Sequence, residues 1–253
     1  MDYGNIAQLM LNGKEDTKVN DTGVEIKNNI KILYHGSCDR DLIPDINKCK
    51  SDNDYGPGFY TTEIQDLAKE WATYRGSYGH CYINKYEFDD TGLNVFKFND
   101  KDFLQWLAVL LNYREVREIK NMNNPNREAL LKILHDYKFV DMSKYDCAEG
   151  WRADDAYYSF VTEYVFGDLS TEHFIQSIKN GDIGLQYVLL SPKAFDRIKF
   201  IESTYVNYSI WDRKSMERHE KACQAHNLFL ELSKADPFAR RFFNEIEDLV
   251  KKG

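Results

Sequence analysis

Two short segments bracket an aromatic slot and constrain this chain more than any other feature. The run Ile30-Lys31-Ile32-Leu33 leads into Tyr34-His35-Gly36-Ser37, and Tyr55-Gly56-Pro57-Gly58-Phe59-Tyr60-Thr61-Thr62 follows after a polar stretch. The β-branched start of the first run predicts a strand that ends at His35. Glu63 to Tyr74 predicts a helix with Leu67, Ala68, Trp71 and Ala72 on its apolar side, N-capped by Thr62 with Gln65 in capping-box position. A strand end, a glycine hinge and a helix then present His35, Phe59, Tyr60 and Trp71. Tyr60 and Trp71 can lie over opposite faces of one flat heteroaromatic ring, a contact worth about 0.5–1.5 kcal/mol beyond area burial.

Each of these residues also has a plainer reading. His35 can be a surface histidine before a turn. Gly56 and Gly58 can form an ordinary turn, since the full GxGxxG pattern is missing and a Rossmann site is disfavoured. Trp71 can be core. Gly36, without a Cβ, can let its backbone approach a ligand closely.

A distant segment bears on the choice. Gly184-Leu185-Gln186-Tyr187-Val188-Leu189-Leu190 places Gln186 on the same strand face as Val188 and Leu190. A buried carboxamide is costly unless bonded, so Gln186 is a structural bridge or a ligand contact. Asp154 and Asp155 stand near a predicted helix start, where capping accounts for at least one of them.

The rest of the chain alternates helix and strand. Residues 6–11 predict helical turns, 14–23 a loop, and 38–55 a surface loop with one apolar turn at Leu42-Ile43. Cys81 to Phe88 has period two, and Asp89-Asp90-Thr91-Gly92 predicts a turn into a hairpin partner, Leu93 to Phe96. Helices are predicted over Asp102 to Tyr113, from Pro125, over Ala153 to Tyr164, and from a Ser170 cap to Gly181. Strands are predicted at Tyr187 to Leu190 and Ile198 to Ile201. Two further helices follow, broken around Asp236-Pro237.

At 253 residues the chain can bury a sizeable core, and 43% apolar residues place it among globular proteins. The formal charge of −8 argues against a generic grip on nucleic acid, which Lys and Arg must supply. Cys38, Cys49, Cys81, Cys147 and Cys223 form no CxxC pair and lack zinc-site spacing, so reduced, metal-free thiols are expected. No leader-like start or bilayer-length apolar run is present, which sets cytoplasmic residence, with no membrane partner, as the expectation.

Taken together, the segments resemble the ADP-ribosyltransferase superfamily, in particular the bacterial DUF3990 family of unknown function. The resemblance rests on Tyr34-His35-Gly36-Ser37, Tyr55 to Thr62 with Ala68 and Trp71, Leu93 to Phe98, Ala153-Asp154-Asp155 with Tyr158, and Gln186-Tyr187-Val188 to Phe200. It covers about residues 30–203. It implies an α+β fold with an ADP-ribosyltransferase-like split two-sheet core, surrounding helices and a helical C-terminal segment. Residues 1–29 would then be an extension, 30–203 the domain, and 204–253 a helical segment packed on or beside it.

The resemblance also implies roles, following the diphtheria-toxin and poly-ADP-ribose polymerase branch with its histidine, tyrosine and glutamate triad. His35 would hold the adenosine-side ribose, and the Gly36 backbone the nicotinamide carboxamide. Tyr60 and Trp71 would stack on the nicotinamide of NAD, with Ser37, Gly58 and Phe59 lining the site. Gln186 falls where the catalytic glutamate would be. It can orient a ribose hydroxyl but brings no charge to the developing cation, and preorganised terms of that kind are worth about 2.7–4 kcal/mol. Asp154 or Asp155 would be the assisting acid if one is used.

The implied function is a mono-ADP-ribosyltransferase, moving ADP-ribose from NAD to a macromolecular acceptor, more readily protein than nucleic acid, with release of nicotinamide. The alternatives are a catalytically inactive NAD or ADP-ribose binding module acting through protein partners, and an interaction protein whose aromatic residues only fill its core.

Overall fold

β3 (Ile30–Ser37), β5 (Tyr82–Asp89) and β9 (Ile198–Tyr205) form an antiparallel sheet in the order β3-β5-β9. The computed structural model describes residues 17–19, 25–27, 30–75, 80–114, 125–153, 158–182 and 184–252. β4 (Phe59–Thr61), β8 (Leu185–Leu189), β7 (Cys147–Trp151) and β6 (Val95–Lys97) form a second sheet in the order β4-β8-β7-β6, in which the β6–β7 pair is parallel. A small antiparallel pair, β1 (Thr17–Val19) with β2 (Glu25–Lys27), precedes them. The architecture is α+β, with a three- and a four-stranded sheet flanked by helices.

The helices are α1 (Gln65–Arg75), α2 (Phe103–Tyr113), α3 (Pro125–Lys138), α4 (Tyr158–Phe166), α5 (Thr171–Gly181), α6 (Pro192–Phe195), α7 (Tyr208–Ala235) and α8 (Phe242–Lys252). Several match their sequence signals closely. Pro125 opens α3, and the Ser170 hydroxyl accepts from the His173 N–H at 3.2 Å to cap α5.

Other expectations are corrected. Residues 17–19 are extended, because pairing with 25–27 outweighs their weak local preference. β3 continues past His35 to Ser37, since its ladder with β5 runs on to the Ser37–Tyr82 pair. The turn at Gly92 is real, with φ +70°, but the strand after it does not fold back on β5. It crosses to the other sheet, where the Asn94 carbonyl takes the Asp146 N–H at 2.8 Å and β6 pairs with β7. Thr62 does not cap a helix that starts beside it. Its hydroxyl donates to the Leu185 carbonyl at 2.9 Å and accepts from the Ile64 N–H at 3.1 Å, and α1 begins at Gln65. The helical turns expected at residues 6–11 lie outside the described residues.

Three apolar clusters follow from these layers. Leu33, Tyr86 and Phe88 of one sheet meet Phe59, Cys147, Tyr187 and Leu189 of the other. The far face of the four-stranded sheet, with Ala148 and Val188, is covered by α2, α4 and α5 and by Ala222, Phe242 and Ile246 of α7 and α8. Ile83 on the far face of the three-stranded sheet packs with Ala68 and Ala72 of α1 and with Val206. Period two in β5 thus carries apolar residues on both faces, because both faces are covered.

Candidate functional site

The two sheets bond to each other through Tyr34 and Thr62, whose N–H and C=O groups exchange hydrogen bonds of 2.8 and 3.0 Å. Extending that antiparallel register would set Gly36 opposite Tyr60, but among the described residues no such pair forms. Peptide groups alternate in direction along a strand. Those of Gly36 therefore point to the same edge as those of Tyr34, toward β4, where no backbone pair follows the Tyr34–Thr62 bridge among the described residues.

The side of Gly36 where a Cβ would stand is occupied. A Cβ there would come within 2.1 Å of the Ala68 carbonyl oxygen and 2.5 Å of the Ala72 nitrogen. The space that glycine frees is taken by α1, so what Gly36 presents toward β4 is its peptide edge. Gly58 is needed for a similar reason, since its Cβ would meet the Leu189 carbonyl oxygen at 2.8 Å where β4 lies on β8.

His35 Nδ1 lies 2.7 Å from the Tyr60 carbonyl oxygen. A carbonyl only accepts, so the proton belongs on Nδ1 and Nε2 is the acceptor nitrogen of the neutral ring. The imidazole rests on Phe59, with centroids 4.7 Å apart. Phe59 is buried and belongs to the core between the sheets. The Ser37 hydroxyl accepts from the Asp39 N–H at 3.0 Å and turns the chain out of β3.

Tyr60 points to the other face of β4, beside Val188, its partner on β8. Its hydroxyl donates to the Gly56 carbonyl at 2.7 Å and accepts from the Tyr55 N–H at 2.9 Å. Burial, with the Asp54 carboxylate nearby, pushes this phenol well above its ordinary range and keeps it protonated. Trp71 stands half-buried on α1 and makes no ring contact with Tyr60 among the described residues. The Arg152 guanidinium carbon lies 5.5 Å from its ring centroid.

Gln186 shares the face of Tyr60 and Val188 and is 4% exposed. Its Nε2 donates to Asp54 Oδ2 at 2.8 Å and to the Trp151 carbonyl at 3.4 Å. Asp54 also accepts from the Ala153 N–H at 2.8 Å and from Arg114 Nη1 at 2.7 Å. The Trp151 carbonyl further accepts from the Tyr55 hydroxyl at 2.7 Å and from Trp106 Nε1 at 3.2 Å. Burial pushes the Asp54 carboxyl up, while Arg114, the Ala153 N–H and the Gln186 amide pull it back.

The structure thus joins His35 to Tyr60 through a carbonyl and sets Tyr60 and Gln186 on one face. Trp71 stands apart on the neighbouring helix. Asp154 and Asp155 lie outside the described residues. Asp54 is the carboxylate that the sequence reading missed, because residues 38–55 read as a surface loop. Its only signal was adjacency to Tyr55 and the glycine hinge. A groove of about 520 Å³ elsewhere, between the start of α5 and the turn before α8, is lined by none of the expected site residues. None of the five cysteines forms a disulfide, and no group of His, Cys, Asp and Glu able to hold a metal occurs among the described residues. Nor is any described helix long and apolar enough to cross a membrane.

No curated protein and no solved structure matches the chain. A family model matches residues 31–200, which takes in β3 through β8 and the first part of β9. The chain belongs to that family, the proteins of unknown function designated DUF3990.

Proposed function

We propose that the place where β3 and β4 cease to pair is a nicotinamide-nucleotide site, and that the protein transfers ADP-ribose from NAD to a protein acceptor with release of nicotinamide. The observation that carries this reading is that backbone pairing between β3 and β4 stops at the Tyr34–Thr62 bridge. It leaves the Gly36 peptide edge opposite Tyr60, with His35 anchored to Tyr60 and Gln186 on the Tyr60 face. A peptide N–H and C=O side by side are the complement of a carboxamide such as that of nicotinamide. This arrangement supports kinship with the ADP-ribosyltransferase superfamily and its split two-sheet core.

In the mechanism the Gly36 peptide binds the nicotinamide carboxamide. Tyr60 and Trp71 flank the ring, and His35 bonds a ribose hydroxyl through Nε2. Gln186 Oε1 accepts from a hydroxyl of the reacting ribose. The C–N bond to nicotinamide breaks with its electron pair leaving on nicotinamide. The acceptor nucleophile then bonds the ribosyl carbon and gives up a proton.

A second reading follows from the uncharged carboxamide at 186: a module that binds NAD or ADP-ribose without turnover. Purified protein incubated with NAD and cell lysate, analysed by mass spectrometry, separates the two. Transfer predicts free nicotinamide and ADP-ribosylated protein, and replacing Gln186 by Ala abolishes both while NAD binding persists. Turnover unchanged by that substitution removes Gln186 from the mechanism. Tight NAD binding without any nicotinamide supports the binding module.

A further inference from the structure

Gln186 is held in one orientation by chemistry as well as geometry. Its two bonding partners, the Asp54 carboxylate and the Trp151 carbonyl, only accept. The carboxamide must present Nε2 to both, since the flipped amide would set Oε1 against two oxygens. Oε1 is therefore turned away from them. Asp54 is itself fixed on three sides, by Arg114, the Ala153 N–H and Gln186.

We propose that Asp54 is the positioning residue of this site: its carboxylate fixes Gln186 so that Oε1 faces the reacting ribose. The proposal rests on the nicotinamide-nucleotide reading above. It also explains why a glutamine, not a glutamate, stands at 186. A carboxylate there would face Asp54 across a hydrogen-bond distance, and two carboxylates that close cannot both ionise. Charge at 54 and carboxamide at 186 form a matched pair, with the acid one step back from the ribose.

The test uses the full chain with the variants Asp54→Asn, Gln186→Glu and the two combined. With Asp54→Asn, the rate of nicotinamide release at saturating NAD is expected to fall by about 100-fold, as a misplaced reacting group does, while NAD binding changes little. Gln186→Glu alone is expected to lower the urea midpoint, and adding Asp54→Asn to raise it again, because the new amide can donate to the new carboxylate. Full activity in a folded Asp54→Asn protein overturns the proposal. So does a Gln186→Glu protein as stable as the wild type, a result that does not depend on the Asn variant folding. If the wild type neither binds nor cleaves NAD, the functional reading fails. The urea midpoints then still decide whether Asp54 fixes residue 186.

Discussion

Gly36 shows how one residue serves packing and site together. Its missing side chain lets β3 lie directly on α1, and the same contact fixes the base of Trp71, whose Cβ is 2.9 Å from where a Gly36 Cβ would be. Backbone atoms cannot swing aside as a side chain can. Gly36→Ala is therefore expected to cost about 3 kcal/mol, the upper end for overpacking, read as a lower urea midpoint. A midpoint equal to the wild type shows that α1 can move. The sequence reading had the Gly36 backbone approach a ligand and did not foresee α1 on the side of the missing Cβ, because local sequence marks a close approach but not what approaches. Asp54 failed for the opposite reason. A polar residue in a polar run reads as solvated, and only partners 60 to 132 positions away along the chain bury it.

At the scale of elements, strands and helices with strong periodicity were legible, and their pairing was not. β5 and α2 could be read from spacing alone, whereas the parallel crossing of β6 to β7 depends on Asn94 meeting Asp146, which no local pattern encodes. The same holds for the tie between α1 and α7. Arg218 donates through Nε to Glu70 at 2.8 Å and through Nη1 to the Asp182 carbonyl and side chain, each at 2.8 Å, so one guanidinium joins α1, the end of α5 and α7. The Glu70 side chain is 5% exposed and that of Arg218 is 20% exposed. Arg218→Ala would strip a buried carboxylate of its hydrogen-bonded partner and leave it only the Arg152 charge, at a cost of about 3 kcal/mol, the low end for a broken buried pair because Arg218 keeps some water contact and Arg152 remains. Adding Glu70→Met should recover part of that loss in chemical denaturation. No recovery would place the cost in packing by the arginine stem. Because Glu70 adjoins Trp71, the single variant should also shift tryptophan fluorescence.

Across the whole molecule, the chain crosses between the two sheets from β5 to β6 and from β8 to β9, and Asp146 ties these two crossovers to each other. Its carboxylate accepts from the Asn94 N–H at 2.9 Å, before β6, and from the Ser191 hydroxyl at 2.6 Å, after β8. Its backbone N–H and C=O bond Asn94 and Leu190 at 2.8 and 2.9 Å. Burial alone would raise this carboxyl, but the Asn94 N–H, the Ser191 hydroxyl and the Lys193 ammonium hold it below its ordinary range. A carboxyl depressed in the folded state adds stability above its unfolded pKa, about 3.9, and loses it as pH falls through the folded value. Asp146→Asn should therefore cost about 2 kcal/mol at pH 7, the scale of hydrogen bonds to a charged group. The gap between variant and wild type should hold down to about pH 5 and narrow below about pH 4, where the wild-type carboxylate takes up its proton. Urea midpoints for both proteins at pH 7, 5 and 3 measure it. A gap constant across that range would mean that the neutral acid makes the same bonds, and that the charge is not what ties the two crossovers together.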